Sequence, residues 1–384
     1  MSRTIRLKNA LLLAVTEAEA GVYEDPTAST DSIKVENCRL TFDPNMIETN
    51  EYTGSLDASA PIVGGMRASL AFDVLLKGSG TAGTAPEWGV LMPACNWQEV
   101  ASAAAVPVAA EALAAGGSTT TAVLGATALG TANLYRGMPI VFSEAVEGTS
   151  FIAAYSAGKT ATLTDTLGGA LVATSDYQIP ANVLYRPVSG DPDALSMRFY
   201  QDGTSYKFRG CRGDWSLRAD AGGVGRLSYT MTGIFVAEED AGVPTGAFQA
   251  GQAPVWRNGV MSIGRAAVAL SSLTLASGNQ VVSQPNPNAE EGFDVADIMS
   301  RRITGTLDPK KGLKATADRL GHFKAGTPAL IHARWGTTAG NRIGITVPAA
   351  QYTRHELGER EGAAITNLSF QTTGEDAGAF LTIW

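Results

Sequence analysis

The sequence is poor in charge. Only 17% of its 384 residues are Asp, Glu, Lys or Arg, against about a quarter in an ordinary soluble domain. Basic residues are the scarcer kind, 29 against 37 acidic, for a net charge of −8. That balance argues against a nucleic-acid binder held by clustered Lys and Arg, and is compatible with a surface that repels DNA or ignores it. Cysteine is nearly absent. Cys38, Cys95 and Cys211 stand far apart with no CxxC, so they read as reduced, mostly buried thiols of a reducing compartment. His322, His332 and His355 show no HExxH grouping, which argues against a structural zinc. No run approaches the ~20 apolar residues of a membrane span. The apolar run Ala10-Leu11-Leu12-Leu13-Ala14-Val15 follows Arg3, Arg6 and Lys8 and precedes Ala18-Glu19-Ala20. It falls short of the roughly 7–15 residues of a signal-peptide core.

Catalytic constellations are missing as well. No GxSxG occurs, and the histidines lie only in the later third. Asp202 with Asp214, and the trio Glu238, Glu239 and Asp240, are the candidate paired carboxylates. Nothing in the pattern sets either group across a cleft, so they read as acidic turn residues. Gly78-Ser79-Gly80-Thr81-Ala82-Gly83 fits GxGxxG, but no Lys or Arg is near and no βαβ alternation surrounds it. It reads as a packing loop. No catalytic, cofactor-binding or metal-ligating residue is therefore expected, and the chain is not read as an enzyme. Arg301-Arg302 and Lys310-Lys311 read as surface or edge-strand charges. Trp256, Trp335 and Trp384 fit interface anchors and core residues equally.

What the chain does have is 45% hydrophobic residues, 43 glycines and strand-like alternation. Few charges and many small residues suit burial against other subunits, and equally an ordinary β-rich protein with short loops. Residues 67–76 alternate, with Ala68, Leu70, Phe72 and Val74 on one face. Arg67-Ala68-Ser69-Leu70-Ala71-Phe72-Asp73 is echoed by Arg302-Ile303-Thr304-Gly305-Thr306-Leu307-Asp308. Leu227-Ser228-Tyr229 before Thr232-Gly233 is likewise echoed by Leu368-Ser369-Phe370 before Thr373-Gly374. Two matched strand pairs in one order suggest a β unit that occurs twice; chance resemblance between similar strands is the competing reading. The stretch from Asp73 to Leu227 is more than twice that from Asp308 to Leu368, so the first copy carries an insertion.

The expected organisation is an N-terminal arm over 1–35, with a strand or short helix at 4–17. A first β domain follows in two pieces, 36–104 and 186–240, around a small all-β module at 105–185. A linker spans 241–254, and a second β domain 255–384. Each domain is expected to carry a short flanking helix, at 86–95 and 313–323. Residues 45–61 read as a long loop or extended hairpin. Asp202-Gly203 and Gly222-Gly223 read as hairpin turns.

Several stretches together resemble the major tail tube proteins of bacteriophages with long, non-contractile tails (siphoviruses). They are Pro61-Ile62-Val63-Gly64-Gly65, the strand at 67–76 with the Gly-rich loop up to Trp88, Lys207-Phe208-Arg209-Gly210-Cys211-Arg212-Gly213, and Trp335-Gly336-Thr337-Thr338-Ala339-Gly340-Asn341. The module around Leu134-Tyr135-Arg136-Gly137-Met138-Pro139 is similar to small β modules of phage structural proteins. The resemblance implies a fold of tail-tube-like β-sandwich or barrel domains whose sheets join between subunits. Rings of six such units stack into a tube through which DNA passes, without sequence-specific binding and without a membrane. With two units per chain, a trimer of pseudo-sixfold symmetry is favoured and a hexamer is the alternative. The implied partners are the tail terminator, tape measure and distal tail proteins. The implied location is the virion tail, and the host cytoplasm during assembly. The arm, residues 45–61 and the linker are expected to make ring-to-ring contacts, with the module outside. The competing function is a virion decoration or adhesion protein that binds through 105–185. The second copy departs from the pattern, being shorter and without the GSGTAG loop.

Overall fold

A computed structural model describes residues 4–115 and 117–384. Its strands run, in chain order, β1 (Ala10–Thr16), β2 (Ser32–Ile33), β3 (Glu36–Ile47), β4 (Ile62–Leu75) and β5 (Trp97–Ser102). Next come β6 (Val106–Ala112), β7 (Thr121–Val123), β8 (Pro139–Glu144), β9 (Gly148–Tyr155), β10 (Thr160–Leu163) and β11 (Ser175–Ile179). Then follow β12 (Asn182–Pro187), β13 (Leu195–Gln201), β14 (Gly203–Asp220) and β15 (Arg226–Ala241). The later part holds β16 (Val260–Ile263), β17 (Ala266–Ala267), β18 (Ser272–Ala276), β19 (Asn279–Pro285), β20 (Phe293–Arg301) and β21 (Thr304–Leu307). Helix α1 (Arg319–Ala325) precedes β22 (Ala329–Trp335), β23 (Ile343–Arg360), β24 (Ala363–Thr372) and β25 (Phe380–Ile383). The chain is mainly β, as the alternation predicts.

Alternation sets which face is buried. Ala68, Leu70, Phe72 and Val74 of β4 are buried, and so are Leu227, Tyr229 and Met231 of the antiparallel neighbour β15. Phe72 and Tyr229 stack at 5.7 Å. The larger of these side chains, such as Leu70, Phe72 and Met231, each contribute about 1.5–3 kcal/mol on burial. Against this face pack two 3₁₀ turns, Gly89–Leu91 and Pro93–Cys95, which bury Trp88, Leu91 and Met92. The expected helix at 86–95 is therefore only these turns, because Pro93 cannot donate the hydrogen bond that an α-helix needs there.

The strand orders reveal a repeat. Hydrogen bonding links β1-β13-β14-β15-β4-β3 in one half and β16-β22-β23-β24-β21-β18 in the other. Chain order runs the same way through both series. The seven residues of α1 fall where the two 3₁₀ turns fall. Each ends on a left-handed residue, Asn96 at φ 61° and Gly326 at φ 63°. The letter echo is two residues out of register. Val74 lies opposite Leu227 and Leu307 opposite Leu368, which matches Asp73 with Thr306 and not with Asp308. A two-residue slip keeps every side chain on its face, so the pattern survives the error.

The two halves join edge to edge. Residues 216–220 of β14 pair with β18, Leu217 opposite Leu275. Eight strands thus form one curved antiparallel sheet, β3-β4-β15-β14-β18-β21-β24-β23. Trp97 meets Trp215 edge-on at 4.7 Å behind this join and donates to Ser277 Oγ at 3.0 Å.

Between the first turn–sheet unit and β13, the chain makes a six-stranded sheet, β6-β11-β8-β9-β10-β7, with its own core around Phe142, Tyr155 and Tyr177. This module packs on the later half. Phe151 lies 4.6 Å from His332 and edge-on to Trp384, Asp165 pairs with Arg334 at 2.7 Å, and Thr382 Oγ1 donates to Gly137 O. It is more than an external ornament, since it covers side chains of the second half.

Other expectations need adjustment. Residues 10–16, expected within an arm, form β1 inside the sheet with Leu11, Leu12 and Leu13 buried. β15 runs on through Ala241, so Glu238, Glu239 and Asp240 are strand residues opposite Tyr206, Ser205 and Thr204. In the second half the helix begins only after Asp318, whose side chain accepts from Gly321 N. Leu313 and Leu320 are consequently exposed, not a core stripe.

Candidate functional site

The eight-stranded sheet has one apolar face and one polar face. The polar face carries Ser69, Ser216, Ser228, Thr274, Thr306 and Ser369. Hydroxyls are tied across strands: Ser228 Oγ donates to Asp73 at 2.6 Å, and Thr274 and Thr306 lie 2.7 Å apart. Three of its guanidinium groups sit beside carboxylates, Arg226 with Glu36, Arg218 with Asp220 and Arg354 with Glu356. Arg302 bonds instead to Gln371, and Arg39 is exposed. The face is hydrophilic and carries both signs of charge, with most of its cations tied to neighbours among the described residues.

The sheet ends in two open edges. Among the described residues, β3 pairs only with β4, and β23 beyond residue 350 pairs only with β24. These edges correspond to the two strands that meet inside the chain, β3 to β18 and β23 to β14. Where Leu217 and Ala219 are covered by β18, their counterparts His355 and Leu357 lie open, Leu357 at 64% exposure. With Leu320 and Thr366 they line an uncovered pocket of about 380 Å³. An unpaired strand edge is a template for another chain.

The two Gly-rich motifs meet each other. Gly78 N donates to Asn341 Oδ1 at 2.8 Å, and Gly80 N to Gly340 O at 3.2 Å. A Cβ on Gly78 would overlap Gly340 O, and one on Gly340 would overlap the Thr81 backbone. The GSGTAG segment is thus a packing loop that locks the halves together.

The candidate carboxylates are not brought together. Asp202 is buried at the β13–β14 turn and accepts from Arg6 N and from Asn9. Asp214 lies a dozen strand residues away, about 40 Å, and accepts from Asn279 N at 3.0 Å. Burial raises its pKa. Glu239 pairs with Arg198 and Lys207. Among the described residues no three His, Cys, Asp or Glu side chains gather into a metal-sized group. His332 is wholly buried against Phe151, and burial pulls its pKa down to about 3. Its neighbour Asp165 is pushed up by burial but held below the usual carboxylate range by Arg334. All three cysteines are free, and burial pushes Cys38 up to about 12. Arg301 is no surface charge: it donates to Asn96 O and Val188 O and pairs with Asp376. Trp256 and Trp335 stack at 5.1 Å inside the chain, and Trp384 is buried edge-on to Phe151, so all three are core residues.

Sequence reasoning missed the open edges, because strand pairing is not written in any one strand. The signal was the solvent-exposed Leu357 in an otherwise charged strand end. A search of curated proteins finds no match to this chain. A family model described as phage tail tube protein matches residues 8–374. With nearly the whole sequence matched and a β-rich fold built around an open-edged half-barrel sheet, the chain belongs to the phage tail tube protein family.

Proposed function

We propose that this chain is the major tail tube subunit of a phage with a long, non-contractile tail. In this reading two tandem tube units, the first interrupted by the module at 105–185, are fused edge to edge. The observation that carries it is the β14–β18 join, whose two partners recur as free edges in β23 and β3. Repeating that join between chains closes a ring, and three chains supply six units. Every sheet edge is then satisfied, as in any closed barrel. The polar face, with both signs of charge, lines the channel, where DNA slides without releasing counterions. Rings stack by a repeating head-to-tail contact that continues as a tube. Tail terminator, tape measure and distal tail proteins would cap and fill it.

The register gives a direct test. Leu217 opposes Leu275, and their counterparts are His355 and Cys38. Opposed strand residues lie about 4.5–5.5 Å apart at Cα, within disulfide reach. His355→Cys under mild oxidation should therefore link chains through Cys38, in a ladder that ends at three. A ladder ending at six would favour the hexamer of chains. Absence of any link in assembled material would refute the edge join.

A further inference from the structure

Each half of the chain throws out a hairpin, and only one of the two is seated. The β19–β20 hairpin leaves the sheet at Gly278 and lies back over the first half. Arg212 holds it there, donating to Ala296 O at 3.1 Å and Asp297 Oδ1 at 3.0 Å. Glu291 accepts from Met66 N at 2.8 Å, and Val295 fits against Gly21 and Gly210. The counterpart, β3–β4 with residues 48–61 at its tip, is touched by β19–β20 at its base, through Gly65, Met66 and Arg67, and its outer part is open. Met46, Ile47 and Ile62 are each about half exposed and Tyr52 is fully exposed. Its exposed carboxylates are Asp43, Glu48, Glu51 and Asp57, and among the described residues only Asp43 has an ion-pair partner, Arg67.

The seat on the second half is empty. Ala349, hydrogen-bonded to Thr373, stands where Arg212 stands opposite Thr232. Around it opens a groove of about 870 Å³, bounded by α1, the start of β22, β23, the turn after β16 and, from the module, Arg136, Ala153, Ala154 and Thr162. Arg265, Lys310, Lys311, Arg319 and Tyr352 line it with Ala349. Lys310 and Lys311 are exposed and make no ion pair among the described residues. Arg319 and Tyr352 are 9% and 5% exposed, yet Arg319 Nε and Tyr352 Oη have no hydrogen-bond partner. Those two atoms lie beneath the floor of the groove, so the groups it offers to an occupant are the exposed ammonium groups of Lys310 and Lys311. Asp318, also in the lining, is occupied in capping α1.

We propose that the 43–63 hairpin of one copy fills this groove in a second copy, with Glu48 and Glu51 facing Lys310 and Lys311. It is the between-chain version of the contact that β19–β20 makes within the chain. The hairpin then braces neighbours in one ring, not successive rings. The inference rests on the edge join proposed above, and supplies its second point of contact.

Two measurements test it. Zero-length carbodiimide cross-linking of assembled protein should yield peptides joining 43–63 to 310–319, and none from the monomer fraction. Links from the hairpin to other segments only would overturn the proposal. Glu48→Lys with Glu51→Lys, and Lys310→Glu with Lys311→Glu, should each raise the concentration at which rings appear by about tenfold or more. The quadruple variant, which restores opposite charges, should recover most of that loss. Thermal unfolding of the monomers should not change, since all four side chains are exposed. Single rings at the ordinary concentration that no longer stack would overturn the in-ring placement. If the His355→Cys link to Cys38 forms while these variants assemble normally, the groove inference alone falls; if the link never forms, the ring reading falls first.

Discussion

Leu357 is the most informative single position. It sits on the core-facing side of β23, yet it is 64% exposed because the strand that would cover it belongs to another chain in the proposed ring. Fully burying a leucine contributes about 2 kcal/mol, so covering the open part contributes roughly 1–1.5 kcal/mol per join. A closed ring of three has three identical joins, for a total of about 3–4.5 kcal/mol, or roughly 10²–10³ in the assembly constant. Three monomers make one ring, so the midpoint concentration follows the square root of that constant. Leu357→Ser should therefore raise the midpoint about 10–30-fold, read by sedimentation velocity over a dilution series. The monomer should be left nearly untouched, within about 0.5 kcal/mol, because an exposed side chain is being changed. An unchanged midpoint would refute the reasoning, and so would a monomer destabilised by the full amount.

Further expectations concern the fold and the channel. His332, buried and neutral with its pKa held at about 3, is charged in the unfolded chain below about 6.5. The unfolded state thus binds the extra proton between those values, and stability should fall by about 2–3 kcal/mol from pH 7 to 4.5. Urea midpoints across that range should show the slope, and His332→Gln should flatten it. Trp97→Ala removes the ring packed on Trp215 and the bond to Ser277, and should lower stability by about 3–5 kcal/mol in urea unfolding. Gly344→Ala would drive a Cβ into the Phe151 ring and should destabilise by about 1–3 kcal/mol in the same assay. Ser216→Lys with Ser228→Lys places free cations on the polar face. Tubes of that variant should retain DNA at low salt and release it as salt rises, while the parent tube retains none.

The alternation in 67–76 and in 226–236 was readable because one face of each strand is buried and the period is two. The echo at 302–308 led to the right strand through residue types that merely share a face, hence the two-residue slip. Helix α1 was misplaced because Leu313, Ala317 and Leu320 have helical spacing, while Asp318 and its cap fix where the turn can start. Nothing local marks the β14–β18 join. It depends on which of two equivalent edges comes first along the chain, and no strand carries that information. The groove was invisible for the same reason: its lining is gathered from stretches of the module and of the second half that lie far apart in the sequence.

In the proposed ring the join inside the chain and the join between chains differ, and the proposed fusion of two units accounts for the difference. On its core face the join inside the chain is dry, with Leu217 against Leu275, Ala219 against Leu273 and Trp215 behind. The counterparts on the open edges are His355, Leu357 and Tyr352 on one side and Cys38 and Val35 on the other, flanked by Arg354, Glu356 and Arg360. A free subunit must keep that edge in water until it meets a neighbour, and charges along an edge discourage stray strand pairing. Six separate identical units would have to use one compromise sequence at every join. A chain of two units frees half of the joins to become core, and confines the soluble, reversible chemistry to the other half.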